Sequence, residues 1–322
     1  MAPVRRRQEG LKLKALGQNP LEPGPSASDS PSPAPARSPP RQCILTLGMK
    51  RILTALVLIP LALVVVFLAP RWLFTLSTAL LAALAAWEYL GMAQRGGPNP
   101  PRIAVVVAIA ALFAGNFEYP DQTGAIFGIL SLGLLVYCTF SSTLELVMVD
   151  AAMSIFCLFY TGLTLLALPA LREEANGPTL VVFLLCVVWA GDIVALYVGS
   201  ALGRHKMAPG LSPNKTWEGA VGSVLGSLLA AGGLLSLAYW LAQMNSAKLS
   251  FPDEVWYWLV LAVVVNVAAQ VGDLAESALK RSVGVKDSGT ILPGHGGVLD
   301  RIDALLLAAP VLWYAQVIHQ RF

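Results

Sequence analysis

From Ile52 onward, apolar positions come in long runs and polar positions in short breaks between them. The runs cover residues 52–69, 72–92, 103–117, 124–141, 151–171, 179–202, 219–243, 255–277 and 302–318. Many approach the length of about 20 residues that a helix needs to cross a hydrocarbon layer. The pattern therefore predicts an all-α, polytopic membrane protein with about nine transmembrane helices, or eight if the short third run does not cross.

Residues 1–48 follow a different pattern. A basic patch, Arg5, Arg6 and Arg7 followed by Lys12 and Lys14, precedes a Pro/Ser/Ala stretch from Pro20 to Pro40. Such a composition buries too little apolar surface to fold, so a disordered tail is expected. It lacks the apolar h-region of a signal peptide. Met49-Lys50-Arg51 directly before Ile52 would itself serve as a start, which would make residues 1–48 an extension of the gene model ahead of a transmembrane domain at 49–322.

Composition strengthens the membrane reading. The chain of 322 residues is 56% hydrophobic and 13% charged, against a charged share of about 25% in soluble domains. Cys43, Cys138, Cys157 and Cys186 form no C-x-x-C pair, and three of them lie within apolar runs, where they read as small buried hydrophobes. The net charge of +3 says less than the placement of the bases. With a cytoplasmic N-terminus and nine crossings, that side carries Lys50, Arg51, Arg95, Arg102, Arg204, Lys206, Lys215, Lys280, Arg281, Lys286 and Arg301. The other side carries Arg71, Arg172, Lys248 and Arg321, so the split is eleven to four. The polar loops 203–218 and 278–301 then face the same compartment.

Three polar features interrupt the apolar background, all within 190–303. Asp192 stands in an apolar segment, where a carboxylate costs about 3 kcal/mol on insertion scales and calls for a partner or a wet cavity. Hydrogen-bonded helix packing is the alternative. The loop Gly199–Gly219 sets Lys206, Ser212, Lys215 and Thr216 ahead of a helix start, a donor set suited to phosphate oxygens. It is not a Walker A loop, and on its own it serves equally to anchor anionic headgroups. The third feature is a helix end that places Asp273, Glu276, Ser277 and Lys280 on one face. A loop containing Gly-His295-Gly-Gly then leads to Asp300 and Asp303, which open the last helix. Four carboxylates among Lys280, Arg281, Lys286 and Arg301 make a divalent cation and polyphosphate site chemically sensible.

The run S-x-L-K-R-x4-K-D-x-G-x2-L-P-x-H-G-G-x2-D-R-x-D, from Ser277 to Asp303, resembles the signature of the phosphatidate cytidylyltransferase (CDP-diacylglycerol synthase) family. The block S-P-N-K-T-W-E-G from Ser212 to Gly219 is similar to that family's second recurrent block, with Asn214 where Gly is more usual. The resemblance implies attack of phosphatidic acid on the α-phosphorus of CTP, giving CDP-diacylglycerol and pyrophosphate. It implies Asp273 and Asp300 as the main Mg²⁺ ligands, with Asp303 and Glu276 behind them, and leaves room for a second, monovalent cation. Lys215, Lys280, Arg281, Lys286, His295 and Arg301 would be catalytic, and Lys206, Ser212, Thr216 and Asp192 would bind substrate. It further implies a homodimer among membrane lipids, with no nucleic-acid partner, in a bacterial inner membrane with its active site facing the cytoplasm. Two alternatives predict different outcomes. A CTP-dependent polyprenol or phytol kinase would release CDP, and a transporter would use Asp192, Asp273 and Glu276 to carry ions.

Overall fold

A computed structural model describes residues 60–244, 249–252, 254–291 and 296–321. The tail expected at 1–48 lies outside the described residues, as does His295. The segment expected at 52–69 is described from residue 60 and is helical over 60–68.

The helices begin and end where local chemistry dictates. Helix α1 (Arg71–Arg95) starts after Pro70 and stops at Gly96-Gly97, with Gly97 at φ 110°. Helix α2 (Arg102–Glu118) starts after Pro101. A short 3₁₀ turn, Pro120–Gln122, leads into α3 (Thr123–Ser141). The run expected at 151–171 is α4 (Val147–Cys157), a π-helical turn (Leu158–Leu163) and α5 (Ala167–Glu173). Then come α6 (Gly177–Leu202), α7 (Trp217–Gln243), α8 (Val255–Ser282) and α9 (Leu299–His319).

Among the described residues, seven helical segments are long and apolar enough to cross a membrane. The 3₁₀ turn with α3, and α4 with α5, each count as one of the seven. Helix α2, with 17 residues, is shorter than these. The most apolar window of the α3 segment is 11% buried, against 56% for α6, so α3 presents its sides outward while α6 is central. Leu132 and Phe140, at 64% and 87% exposure, are the surface that lipid would cover.

Between helices in lipid, close packing replaces the hydrophobic effect as the cohesive force. A Cβ on Gly226 of α7 would stand 2.7 Å from the Ala190 carbonyl of α6, and one on Gly272 of α8 would stand 2.7 Å from the Asp303 carbonyl of α9. These two contacts lock α6 to α7 and α8 to α9. The polar connections after α6 and α8 are two helices apart, so alternation sends both to one end of the bundle.

The connection after α6 departs from all-α character. Strands β1 (Lys206–Ala208) and β2 (Ser212–Thr216) form an antiparallel hairpin pairing Lys206 with Thr216 and Ala208 with Ser212. Its turn is closed by the Leu211 amide donating to the Ala208 carbonyl at 3.1 Å, with Pro209 and Gly210 at the two central positions.

Candidate active site

The hairpin is fixed at its base before any ligand is considered. The Thr216 hydroxyl accepts the Gly219 amide at 3.1 Å and caps α7. Glu218 accepts the His205 amide at 3.2 Å and meets His205 Nδ1 at 2.6 Å. These contacts leave Lys215 projecting from β2 toward α8, where its ammonium pairs with Asp273 at 2.6 Å. At the tip, Arg281 donates to the Leu211 carbonyl at 3.1 Å and to the Val285 carbonyl at 2.9 Å. Arg281 thus stitches the two polar connections together.

Lys215 and Asp273 line a cavity of about 270 Å³ with Asp192, Asn214, Thr216 and Gln270. Its floor is held by a hydrogen-bonded chain between helices. Asn266, 1% exposed, donates to Ser223 and Ser227 at 2.8 Å and accepts from Gln270 at 2.7 Å. The Ser227 hydroxyl donates to the Val187 carbonyl at 2.7 Å. Each buried amide and hydroxyl of this chain has a partner, as a low-dielectric interior demands.

A second ion-paired group lies where α8 meets α9. Lys280 contacts the Glu276 carboxylate and pairs with Asp300 at 2.7 Å. Asp300 also accepts the Ser288 amide at 3.0 Å and the Gly297 amide at 2.8 Å, so it gathers its own loop. Neither oxygen of Glu276, which is fully buried, has a well-aligned donor despite the nearby ammonium. Asp303 accepts the Ala304 amide at 2.8 Å and lies within electrostatic reach of Asp273, Asp192 and Lys280.

The structure thus brings together Asp192, Lys215 and Asp273 around the cavity and Glu276, Lys280 and Asp300 beside it. Asp303 is within reach of both groups. Ser212 is half-buried in β2, while Lys206, Lys286 and Arg301 are exposed at the same end. The apolar run ends at residue 277 and α8 continues to Ser282, through the Lys280 already expected on its polar face, so Asp273 lies about two and a half turns inside the helix. The extra turn carries Lys280 and Arg281, cations suited to a helix C-terminus.

Asp273 and Asp300 stand in separate ion pairs, and among the described residues no three His, Cys, Asp or Glu side chains already meet as ligands of one ion. The donor set still suits a hard divalent cation. Asp273, Glu276 and Asp300 pair with the ammonium groups of Lys215 and Lys280, Asp192 and Asp303 lie within electrostatic reach of them, and the buried Glu276 oxygens lack aligned donors.

Two residues of this region escaped sequence reasoning. Glu88 of α1 is 4% exposed and reaches the loop before α9. The Tyr160 hydroxyl, on the π-helical turn, is buried without a partner and within electrostatic reach of Glu276, Asp303 and Asp273. The signal for Glu88 was a carboxylate inside an apolar run, the same signal that singled out Asp192.

Comparison with known proteins shows what the chain is similar to. A sequence model of the Cytidylyltransferase family matches residues 49–319. A phosphatidate cytidylyltransferase of Brucella abortus is 48% identical over 157 residues, which is 48% of this chain and 54% of that protein, so the chain spans about half the length of that relative. One of Pseudomonas aeruginosa is 37% identical over 286 residues, 83% of this chain and 97% of that protein. One of Haemophilus influenzae is 31% identical over 286 residues, 82% and 97% of the two chains.

Proposed function

The chain belongs to the Cytidylyltransferase family, and we propose that it joins CTP and phosphatidic acid to give CDP-diacylglycerol and pyrophosphate. The observation that carries this reading is the meeting of the Lys215 hairpin and the Lys280–Asp300 loop at one membrane end, over an acidic cavity. A lipid phosphate arriving from the bilayer and a nucleotide arriving from water would meet there.

In this reaction a phosphate oxygen of phosphatidic acid bonds to the α-phosphorus of CTP as the bond to the β-phosphate oxygen breaks. Phosphoryl-type transfer needs alignment and charge neutralisation more than covalent help. No general base is required, because the attacking phosphate is already ionised at neutral pH. Lys215 and Lys280 supply fixed positive charge, with Arg301, Lys286 and Lys206 at the rim. Ser212 supplies a hydroxyl to the phosphate oxygens. Thr216 and Arg281 hold the hairpin in place, and Asp192 completes the cavity wall. His295 belongs to the same loop by its position in the motif. Asp273 and Asp300, with Asp303 and Glu276, would hold Mg²⁺. When bound, that ion would offset the charge on the transferring phosphate, and the acidic surplus leaves room for a monovalent cation beside it.

The apolar runs of the sequence count nine crossings, adding α2 and the run that begins at residue 52 to the seven among the described residues. The protein is a homodimer in a bacterial inner membrane, and the paired connections face the cytoplasm, as the eleven-to-four distribution of bases favours. Single cysteines at Pro209 and Gly289, in a background without native cysteines, are expected to resist an impermeant thiol reagent in intact cells and to react once the cytoplasmic face is opened. Labelling of either from outside would refute the orientation.

The activity itself is tested with purified protein, labelled CTP and phosphatidic acid in mixed micelles, with and without Mg²⁺. CDP-diacylglycerol and pyrophosphate in equal amounts are expected. Release of CDP with a phosphorylated lipid alcohol would make the protein a kinase, and ion flux without a nucleotide product would make it a transporter.

A further inference from the structure

Glu88 lies in α1, in the half of the chain that holds none of the residues given roles above. Its Oε2 accepts the Leu299 amide at 2.8 Å, from 211 residues away in sequence, and the Ser288 hydroxyl at 3.3 Å. Leu299 is the first residue of α9, whose N-terminus has no side-chain cap of its own. Glu88 supplies that acceptor from another helix. Its Oε1 is buried without a donor. A Cβ on either Gly289 or Gly297 would collide with the Glu88 carboxylate. A carboxylate from α1 thus fills the space beside Gly289 and, together with the Ser288 hydroxyl, the space beside Gly297.

The backbone that Glu88 grips is the backbone that holds Asp300. Ser288 gives its hydroxyl to Glu88 and its amide to Asp300, and Gly297 packs on Glu88 while its amide goes to Asp300. We propose that Glu88 is a positioning residue for cytidylyl transfer, clamping both ends of the loop against α1 and thereby setting where Asp300 and its partner Lys280 stand. The inference rests on the cytidylyltransferase reading. Both donors are neutral and reach the same oxygen, so the role requires an acceptor at that point, not a charge.

Four substitutions separate these elements. Glu88→Gln keeps the acceptor and is expected to retain at least about a third of wild-type kcat, whereas Glu88→Ala lowers kcat about tenfold, the scale of a slight misplacement of a catalytic group. The KM for CTP should move less than about threefold, because Lys215 and its hairpin are untouched. Glu88→Asp keeps the charge but withdraws it by one methylene, and should fall between the two. Gly289→Ala should inactivate the wild type but lower Glu88→Ala by less than about twofold further, since the colliding carboxylate is gone. Hydrogen exchange across residues 286–300 provides a readout independent of catalysis, with protection in wild type and Glu88→Gln and opening in Glu88→Ala. If Glu88→Ala does not insert, the Gln and Asp variants decide the matter alone. Full activity in Asp with loss in Gln would overturn the proposal by showing that charge is required. So would wild-type kcat and protection in Glu88→Ala. If wild type makes no CDP-diacylglycerol while the exchange pattern holds, the cytidylyltransferase reading fails and the clamp stands.

Discussion

Asp273→Asn and Asp300→Asn are each expected to lower CDP-diacylglycerol formation at least about a hundredfold, the scale at which lost electrostatic stabilisation at a reacting group is felt. The two losses should differ in origin. Asp273 has Lys215 as its ion-pair partner and, among the described residues, makes no loop contact of the kind that Asp300 makes. Its neutralisation should leave the hairpin and the α8–α9 packing in place while weakening cation binding, which Mn²⁺ titration followed by electron paramagnetic resonance would read directly. Asp300 also holds the Ser288 and Gly297 amides, so an amide nitrogen at that position would face a backbone donor. Asp300→Asn should therefore lose activity and, in addition, loosen its loop. Asp287→Asn, on the exposed part of the same loop, is the control and should do much less. More than roughly a third of wild-type activity in Asp273→Asn at saturating Mg²⁺ would remove that residue from the site, being far short of the loss such stabilisation entails.

What the sequence made legible and what it hid divide along physical lines. Long apolar runs announce helices because lipid leaves the backbone no other partner, and the helices from Arg71 to His319 fall where the runs lie. Their ends were less legible. Beyond the apolar run, α8 continues through Lys280, Arg281 and Ser282, because Leu279 packs on the core while Lys280 and Arg281 find a carboxylate and a carbonyl on neighbouring elements. The hairpin had a local signal in Pro209-Gly210, but no alternation of apolar residues marked its short polar strands. The motif from Ser277 to Asp303 contains both Lys280 and Asp300, which meet as an ion pair, whereas Asp273 lies ahead of it and pairs with Lys215. The motif gave no hint of Glu88, because the meaning of that acid depends on a contact 211 residues away and a single helical pattern carries no such information. The π-helical turn that places Tyr160 was hidden for a related reason: one extra residue in a helix leaves the apolar pattern almost unchanged.

Lys280→Met is expected to abolish activity and also to lower the stability of the solubilised protein, and the two effects can be separated. Lys280 sits between Glu276 and Asp300, whose side chains are 0% and 10% exposed, while its own is 13% exposed. Methionine keeps most of the length and the apolar stem but leaves two carboxylates without their shared counter-ion. Removing one partner of a buried pair typically costs about 3–5 kcal/mol, because the remaining charge stays desolvated and uncompensated. The Asp300 carboxylate keeps two backbone amides, so the larger share of that cost falls on Glu276, which has no aligned donor to fall back on. Adding Glu276→Gln should therefore recover much of the lost thermal stability by removing the stranded charge. Activity should not follow, since the ammonium proposed to face the transferring phosphates is still missing and Glu276→Gln also removes a proposed Mg²⁺ ligand, and the double variant should remain at least about a hundredfold below wild type. Recovery of turnover together with stability would show that Lys280 only neutralises its neighbours, and the phosphate-binding role would pass to Lys215 and the exposed bases at the rim.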